Sequence, residues 1–600
     1  MLKLRSFSFI TILMTLASLS QMAFGRGPVN PTGAIDVNPH PNIFETTITA
    51  APYKLKVGDE KVDVFAYNGQ VPGPEIRVKR GDRVIVHFKN KLPEGWPSTI
   101  HWHGIELNNK SDGTALTQEV VQPGDTYTYD FIVPRAGVFW YHPHARGAEA
   151  VNAGLYAPLI VTQPEERQLK MQGKLPLREN TLMLSDIAIE NGALKNLNTT
   201  SMLETMNGTE GDYLLVNGKL NPTFPAFIGQ GIRLRLINAS ITRYFRLSLP
   251  GHDIYRIGGE GGLIEKVRLE GGSVMGMRMA MDMDMGDDMD MGDGMDMGDG
   301  MDMGDGMDMG DGMDMGDGME MGDGMDMGDG MDMGYTGYTG PIEIALGYDK
   351  GEILLTPAQR ADVIIVPKGT PGSVVSLQWK DFARGRHQMT MTPMGMMMTE
   401  ADDDGERPSV NLLNYILLPN YFGYEFDINE NDALVPKPER LVSDRTDSQI
   451  KLQANMMAMM SGAPKSTWFK IDGYSGVMGR ENYRTASIGE TIEWETHNHT
   501  DMHHPFHLHG FSFQPMQFMR MNHDEGYMDM WMVNAHNEYL DTVNVPPHTS
   551  VFYSFQIDER PDFGANPGQT GGFGSEGDWV FHCHIFQHGE NGMMSFLRVE

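Results

Sequence analysis

The chain has 600 residues, a formal net charge of −33, 49 methionines and a single cysteine. It has no basic stripe, and its field repels phosphate, so no nucleic-acid partner is expected. One cysteine excludes an intramolecular disulfide framework, and the length predicts roughly three or four domains.

Lys3 and Arg5 precede an apolar stretch from Phe7 to Phe24, and Ala23 and Gly25 are small residues just before Arg26. This pattern predicts a secretory signal peptide over residues 1–25. No second apolar span follows, so no membrane span is expected, and the mature chain is placed in the periplasm or otherwise secreted.

Residues 40–165 read as short strands separated by Gly/Pro turns. Lys61–Phe65, Ile76–Val78, Arg83–Phe88, Thr126–Ile132 and Leu159–Thr162 carry the pattern, with Pro-Gly at 72–73 and 123–124. Such spacing predicts an antiparallel β-sandwich. A second region of this kind is assigned to 180–370, clearest from Asp212 to Lys368, with strands at Ile232–Asn238, Tyr244–Leu249 and Ala361–Val366. A third is assigned to 405–600, clearest from Lys465 onward, with strands at Thr491–Glu495, Val551–Gln556 and Met594–Val599. Segments 166–211 and 399–464 read as irregular connectors. The fold class is all-β, three sandwiches in tandem.

The second region carries a low-complexity insertion, assigned to 275–334. From Met289 to Gly330 it holds seven units of Met-Asp-Met-Gly-Asp-Gly, one with Glu320 for Asp, and 281–334 contains 19 acidic residues and no basic one. Rich in glycine and without a β-branched residue, the repeat is expected to be disordered when metal-free. Two readings stand: an expanded, tolerated loop, or a copper-collecting arm whose thioethers are soft donors for Cu(I).

Histidines cluster at four places: His101-Trp-His103-Gly, His142-Pro-His144, His504-Pro-Phe-His507-Leu-His509, and His582-Cys583-His584 followed by His588 and Met593. In an extended segment residues two apart share a face, so each pair can aim two imidazoles at one cluster. A thiolate with imidazole and thioether partners is the ligand set of a blue-copper centre. Ten imidazoles, a thiolate and a thioether exceed what a four-ligand structural zinc needs.

With these four motifs in order, the chain resembles the multicopper oxidases over about 55–165, 212–370 and 465–600, and within that family the bacterial copper-tolerance cuprous oxidases most of all. The resemblance implies three cupredoxin-like Greek-key domains and four copper ions, one type 1, one type 2 and two type 3. It implies type 1 ligation by His504, Cys583, His588 and axial Met593, and type 2 ligation by His101 and His507. One type 3 ion would take His103, His142 and His584, the other His144, His509 and His582. Dioxygen is the implied acceptor, reduced to water, and a monomer is expected. Asp112, nine residues after His103, matches the family position for a proton-supplying acid. The family pattern often has Glu directly after the His588 position. Here Gly589 stands there, and Glu590 is the substitute candidate. Asp541 is expected to be architectural.

Asp501 and Met502, just before His504, occupy the region where copper-tolerance members hold the Cu(I) they oxidise. Methionines gather at Met389, Met391, Met394 and Met396–Met398, at Met456, Met457, Met459 and Met460, and at Met516, Met519, Met521, Met528, Met530 and Met532. These segments are expected to carry additional labile copper, and Cu(I) is the expected electron donor. The alternatives are a laccase-type oxidase of phenols, an Fe(II) or Mn(II) oxidase, and a non-catalytic copper-sequestering protein.

Overall fold

The computed structural model describes residues 30–280, 339–392, 395–421, 423–476, 483–522, 526–532, 537–563 and 570–600. The expected signal peptide, the hexad repeat and Met394 lie outside the described residues.

Three β-sandwiches follow one another. In the first, a sheet of Glu60–Tyr67, Ile43–Val57, Arg83–Asn90 and Thr126–Ile132 faces a sheet of Ile76–Lys79, Ala157–Thr162, Gly137–His142 and His101–His103. Val84, Val86 and Phe88 alternate inward from one sheet and meet Trp102 and Tyr141 from the other. The 15-residue strand Ile43–Val57 is long enough to pair twice, antiparallel with Glu60–Tyr67 and parallel with Arg83–Asn90.

The second sandwich begins about where it was assigned, at 180, and runs past its assigned end. Arg178–Ile187, inside the expected connector, is a ten-residue strand running parallel to Ile232–Asn238 at the middle of a seven-stranded sheet. It is covered on both faces and carries buried Asn180, Thr181 and Ser185, so it lacks the period-two alternation that marks a half-exposed strand. Val410–Leu418 pairs with Thr223–Phe227 and Val374–Lys380 in the facing sheet, so this sandwich extends past the boundaries at 370 and 405. Arg233 and Arg235, both fully buried, are matched by Glu166 and Asp362.

In the third sandwich the sheet Arg484–Ala486, Met594–Val599, Gly577–Cys583, His504–Leu508, Thr542–Val545 faces a larger one. Ile450–Ala454, again from an expected connector, belongs to the larger sheet. So do Ser273–Ala280 and Gly340–Ala345, the two strands that bracket the repeat. Ser273–Ala280 pairs with Tyr527–Trp531, so residues 275–280 are regular strand and not insertion. The apolar cores of the first and third sandwiches run together into one cluster.

Candidate metal centres

Eight histidines from two sandwiches converge where the first meets the third. His101, His103 and His142 lie on paired strands, His101 opposite His142. His507 lies opposite His582, and Phe506 opposite Cys583, on another pair. Gly104, at φ +85, lets the chain turn away after His103. A Cβ there would collide with the Asp541 carboxylate and the Arg360 guanidinium.

Five of the rings are oriented by a hydrogen bond from one nitrogen to a backbone carbonyl or to Asp541. His101 Nδ1 donates to Asp112 O at 2.8 Å, His507 Nδ1 to Asp541 O at 2.8 Å, His142 Nδ1 to Pro143 O at 3.0 Å and His582 Nδ1 to Cys583 O at 2.9 Å. His103 is turned the other way, with Nε2 donating to Asp541 Oδ1 at 2.9 Å. The remaining nitrogens, Nε2 of His101, His142 and His507 and Nδ1 of His103, are buried with no protein partner, as are both nitrogens of His584. Orphaned acceptors of this kind are costly unless something outside the protein satisfies them. Burial holds His103, His142, His144, His509 and His584 far below the usual imidazole pKa, and takes His582 down to about 3. Those six rings are therefore neutral, the form that binds metal. His101, His103 and His142 bring ligand atoms within 4.8 Å of one another, as do His144, His509 and His582. His584 adds its ring 4.9 Å from His103 and 5.7 Å from His142, and the His101 and His507 rings are 5.8 Å apart.

On the other side of Cys583 a second set forms. Its Sγ lies 3.4 Å from His504 Nδ1 and 3.8 Å from His588 Nδ1, and those two nitrogens are 3.3 Å apart. His588 Nε2 donates to Met206 O at 2.8 Å, and His504 Nε2 to Thr500 Oγ1 at 2.8 Å, so both Nδ1 atoms point at the thiol. Met593 is fully buried, and its backbone brackets the site: Cys583 N donates to Met593 O, and Met593 N to His588 O. Burial pushes the thiol pKa up and those of both imidazoles down, so a metal must displace the thiol proton. Soft sulfur with two imidazoles fits copper, and the eight converging imidazoles fit a cluster of it.

Asp112 is fully buried rather than a solvated loop residue. Its carboxylate accepts from His509 Nδ1 at 3.0 Å, while its carbonyl holds His101. Asp541 holds two of the rings in place. It positions His103 through its side chain and His507 through its carbonyl, and Arg360 of the second sandwich forms an ion pair with it. Glu590 Oε1 accepts from Ala148 N at 2.9 Å, and its side chain lines a cavity with His144 and His582. It is ringed by protein yet reached by solvent, as on a cleft wall, and burial raises its carboxyl pKa to about 7.

Asp501 and Met502 are not presented side by side. Met502 is 1% exposed, with its carbonyl accepting from Asn498 Nδ2, whereas the Asp501 side chain is 74% exposed. Asp501 instead meets two imidazoles that sequence reasoning did not single out: His548 Nε2 at 2.8 Å and His387 Nε2 at 4.0 Å. Gly385, at φ +81, makes the second approach possible, because a Cβ there would collide with Asp501 O. His387 opens a hairpin in which Met389 pairs with Met398 and Met391 with Met396. Met456, Met457, Met459 and Met460 form one short helix, with Met457 and Met460 exposed.

Two multicopper oxidase family models match the chain, one over residues 49–166 and one over 449–600. Together they span both histidine-bearing sandwiches, and the chain belongs to the multicopper oxidase family. Multicopper oxidase MmcO of Mycobacterium tuberculosis is 32% identical over 271 residues, 40% of this chain and 52% of that one, so the match spans about half of that relative's length. A copper resistance protein A homolog of Pseudomonas syringae pv. tomato is 24% identical over 92% of this chain and 93% of its own. Among solved structures, a multicopper oxidase from Campylobacter jejuni, described as a metallo-oxidase, superposes with a TM-score of 0.65 at 22% identity, over 95% of this chain and 94% of that one. The fold is thus cupredoxin-like throughout. Among the described residues no helix is long and apolar enough to cross a membrane.

Proposed function

We propose that this protein oxidises Cu(I) outside the cytoplasm and passes the electrons to dioxygen, forming water, in copper tolerance. Four coppers in the allocation given above would supply one-electron acceptance at Cys583 and four-electron reduction at the histidine cluster. The observation that carries the donor assignment is the position of Asp501: an exposed carboxylate between His387 and His548, three residues from His504. A carboxylate and imidazoles beside methionine-bearing strands suit a copper ion that changes oxidation state.

The protein's own part is orientation, shielding and proton supply. Cys583 shares its backbone with His582 and His584, giving a continuous covalent path between the two centres. The oriented rings hold ligand geometry without reorganisation. Asp112, hydrogen-bonded to His509, and Glu590, on the cavity with His144 and His582, are the acids placed to deliver protons.

A second reading, oxidation of phenols, is favoured by a cavity of about 600 Å³ between the second and third sandwiches, lined in part by Phe382 and His503. Oxygen uptake with Cu(I), Fe(II) and a phenol separates the two. Replacing Asp501, His387 and His548 together by Ala is expected to lower Cu(I)-driven uptake at least about tenfold and to leave phenol-driven uptake within about twofold. Equal loss on all donors, or no loss, would remove the case for Cu(I).

A further inference from the structure

Glu260 takes no part in the chemistry above, yet it is a buried carboxyl set where all three sandwiches meet. It forms the tip of a second-sandwich hairpin, between the paired strands Tyr255–Gly259 and Gly262–Leu269. The tip is wedged into the junction. A Cβ at Gly137 of the first sandwich would collide with Glu260 O, and one at Gly261 would collide with Tyr539 O of the third.

Both carboxyl oxygens accept from backbone at this junction. Glu260 Oε2 accepts from Asp541 N at 2.9 Å and Thr542 N at 3.3 Å, and Oε1 accepts from Arg360 N at 3.2 Å. Arg360 in turn donates from Nε to Val138 O at 2.8 Å, and from both terminal nitrogens to the Asp541 carboxylate. Glu260 thus fixes the backbone of Asp541, and Arg360 fixes its side chain. Those are the two handles by which Asp541 holds the cluster, its carbonyl on His507 Nδ1 and its Oδ1 on His103 Nε2. Thr542 Oγ1 lies 3.2 Å from the same His103 nitrogen. The His103 and His507 rings stack with centroids 3.8 Å apart, so a shift of either displaces the other. Of the five oriented rings, His103 alone leaves Nδ1 rather than Nε2 for a metal, and the Asp541 carboxylate is the acceptor that turns it.

We infer that Glu260 is a positioning residue for the histidine cluster. Through Asp541 it sets the directions of His103 and His507, so the hairpin tip of the second sandwich clamps the copper-holding geometry between the other two. A buried carboxyl is costly as packing, and every N–H that this one accepts belongs to a residue that flanks or braces His103 Nε2. The inference rests on copper occupying the cluster and is independent of which electron donor the protein uses.

The test replaces Glu260 by Gln, which is nearly isosteric but has one acceptor oxygen, so its amide N–H must face a backbone N–H on one side. Copper-loaded protein, without denaturant, is dialysed against graded concentrations of a copper chelator, with the Cys583 absorption and the total copper read separately. Glu260→Gln is expected to release the cluster copper at about 10–100-fold lower chelator concentration than wild type, with the Cys583 band unchanged. Glu179→Gln is the control, because it removes a carboxylate from the same sandwich that pairs instead with Arg77 and Lys170. It is expected to release cluster copper at the wild-type concentration. Wild-type release from Glu260→Gln, loss of the Cys583 band in step with the cluster copper, or early release from Glu179→Gln as well would overturn the inference. Wild-type protein that holds no copper beyond that of the Cys583 band would overturn the cluster assignment and this inference with it. Should Glu260→Gln fail to fold, Glu260→Asp keeps the charge but withdraws the oxygens by one methylene. Early release of cluster copper is again the expected result, and release at the wild-type concentration again contradicts it.

Discussion

Changing Cys583 to Ser removes the one thiolate in the chain while leaving a side chain of nearly the same shape in a fully buried position. Copper-loaded protein is expected to lose its intense visible absorption and its donor oxidation, keep copper at the eight-histidine cluster and keep its fold, with absorption, metal content and circular dichroism as the readouts. Persistence of the band would contradict the ligand assignment. Asp112→Asn is expected to lower oxygen reduction about 10–100-fold with the Cys583 band intact, because an amide still accepts from His509 but carries neither the charge nor the proton-supplying carboxyl. At this scale the sequence was highly informative. The histidine pairs are local, and strand geometry alone sends alternate side chains to one face. The contacts that orient them were less legible: Asp541 stood out, but not its bond to His103 across 438 positions, and Met206 reaches His588 through a backbone carbonyl that carries no side-chain signature.

The strands that bracket the repeat illustrate what period-two reading misses. Ser273–Ala280 alternates Met with small or charged residues and passes for a continuation of the low-complexity run, yet it is fixed by Arg278–Asp529 and by pairing on both edges. Arg178–Ile187 was missed for the opposite reason, being buried on both faces and so without alternation. At the stem, Arg278 pairs with Gly340, and Ala280 N donates to Thr339 Oγ1 at 3.2 Å, so the two ends of the segment stand side by side. Replacing 281–338 by a short turn is therefore expected to leave the thermal midpoint within about 2 °C and the Cys583 band unchanged. A large loss of either would show that the segment is structural.

Across the whole molecule, the second sandwich carries no metal-centre histidine but supplies Arg360 to Asp541 and Met206 to His588, so its stability underlies both. Its buried charges make that stability acid-sensitive. Burial alone would raise the carboxyl of Glu179, but Arg235, Arg77 and Arg233 more than offset this and lower it from 4.5 to about 2. A carboxylate with a depressed folded pKa contributes stability that is present above the unfolded value, about 4.5, and is lost as pH falls toward about 2. The contribution is on the order of 3 kcal/mol. Glu179→Gln is expected to lower the urea midpoint at neutral pH and to flatten its fall between pH 4.5 and 2, and an unchanged acid profile would contradict this reading.

The central claim is that one-electron oxidation at the Cys583 side feeds complete reduction of dioxygen at the histidine cluster. The most direct measurement is the ratio of Cu(I) consumed to dioxygen consumed by the copper-loaded protein, with peroxide assayed in the same vessel. Four Cu(I) per dioxygen without peroxide is the expected result. Two Cu(I) per dioxygen with stoichiometric peroxide, or no dioxygen consumption at all, would contradict it.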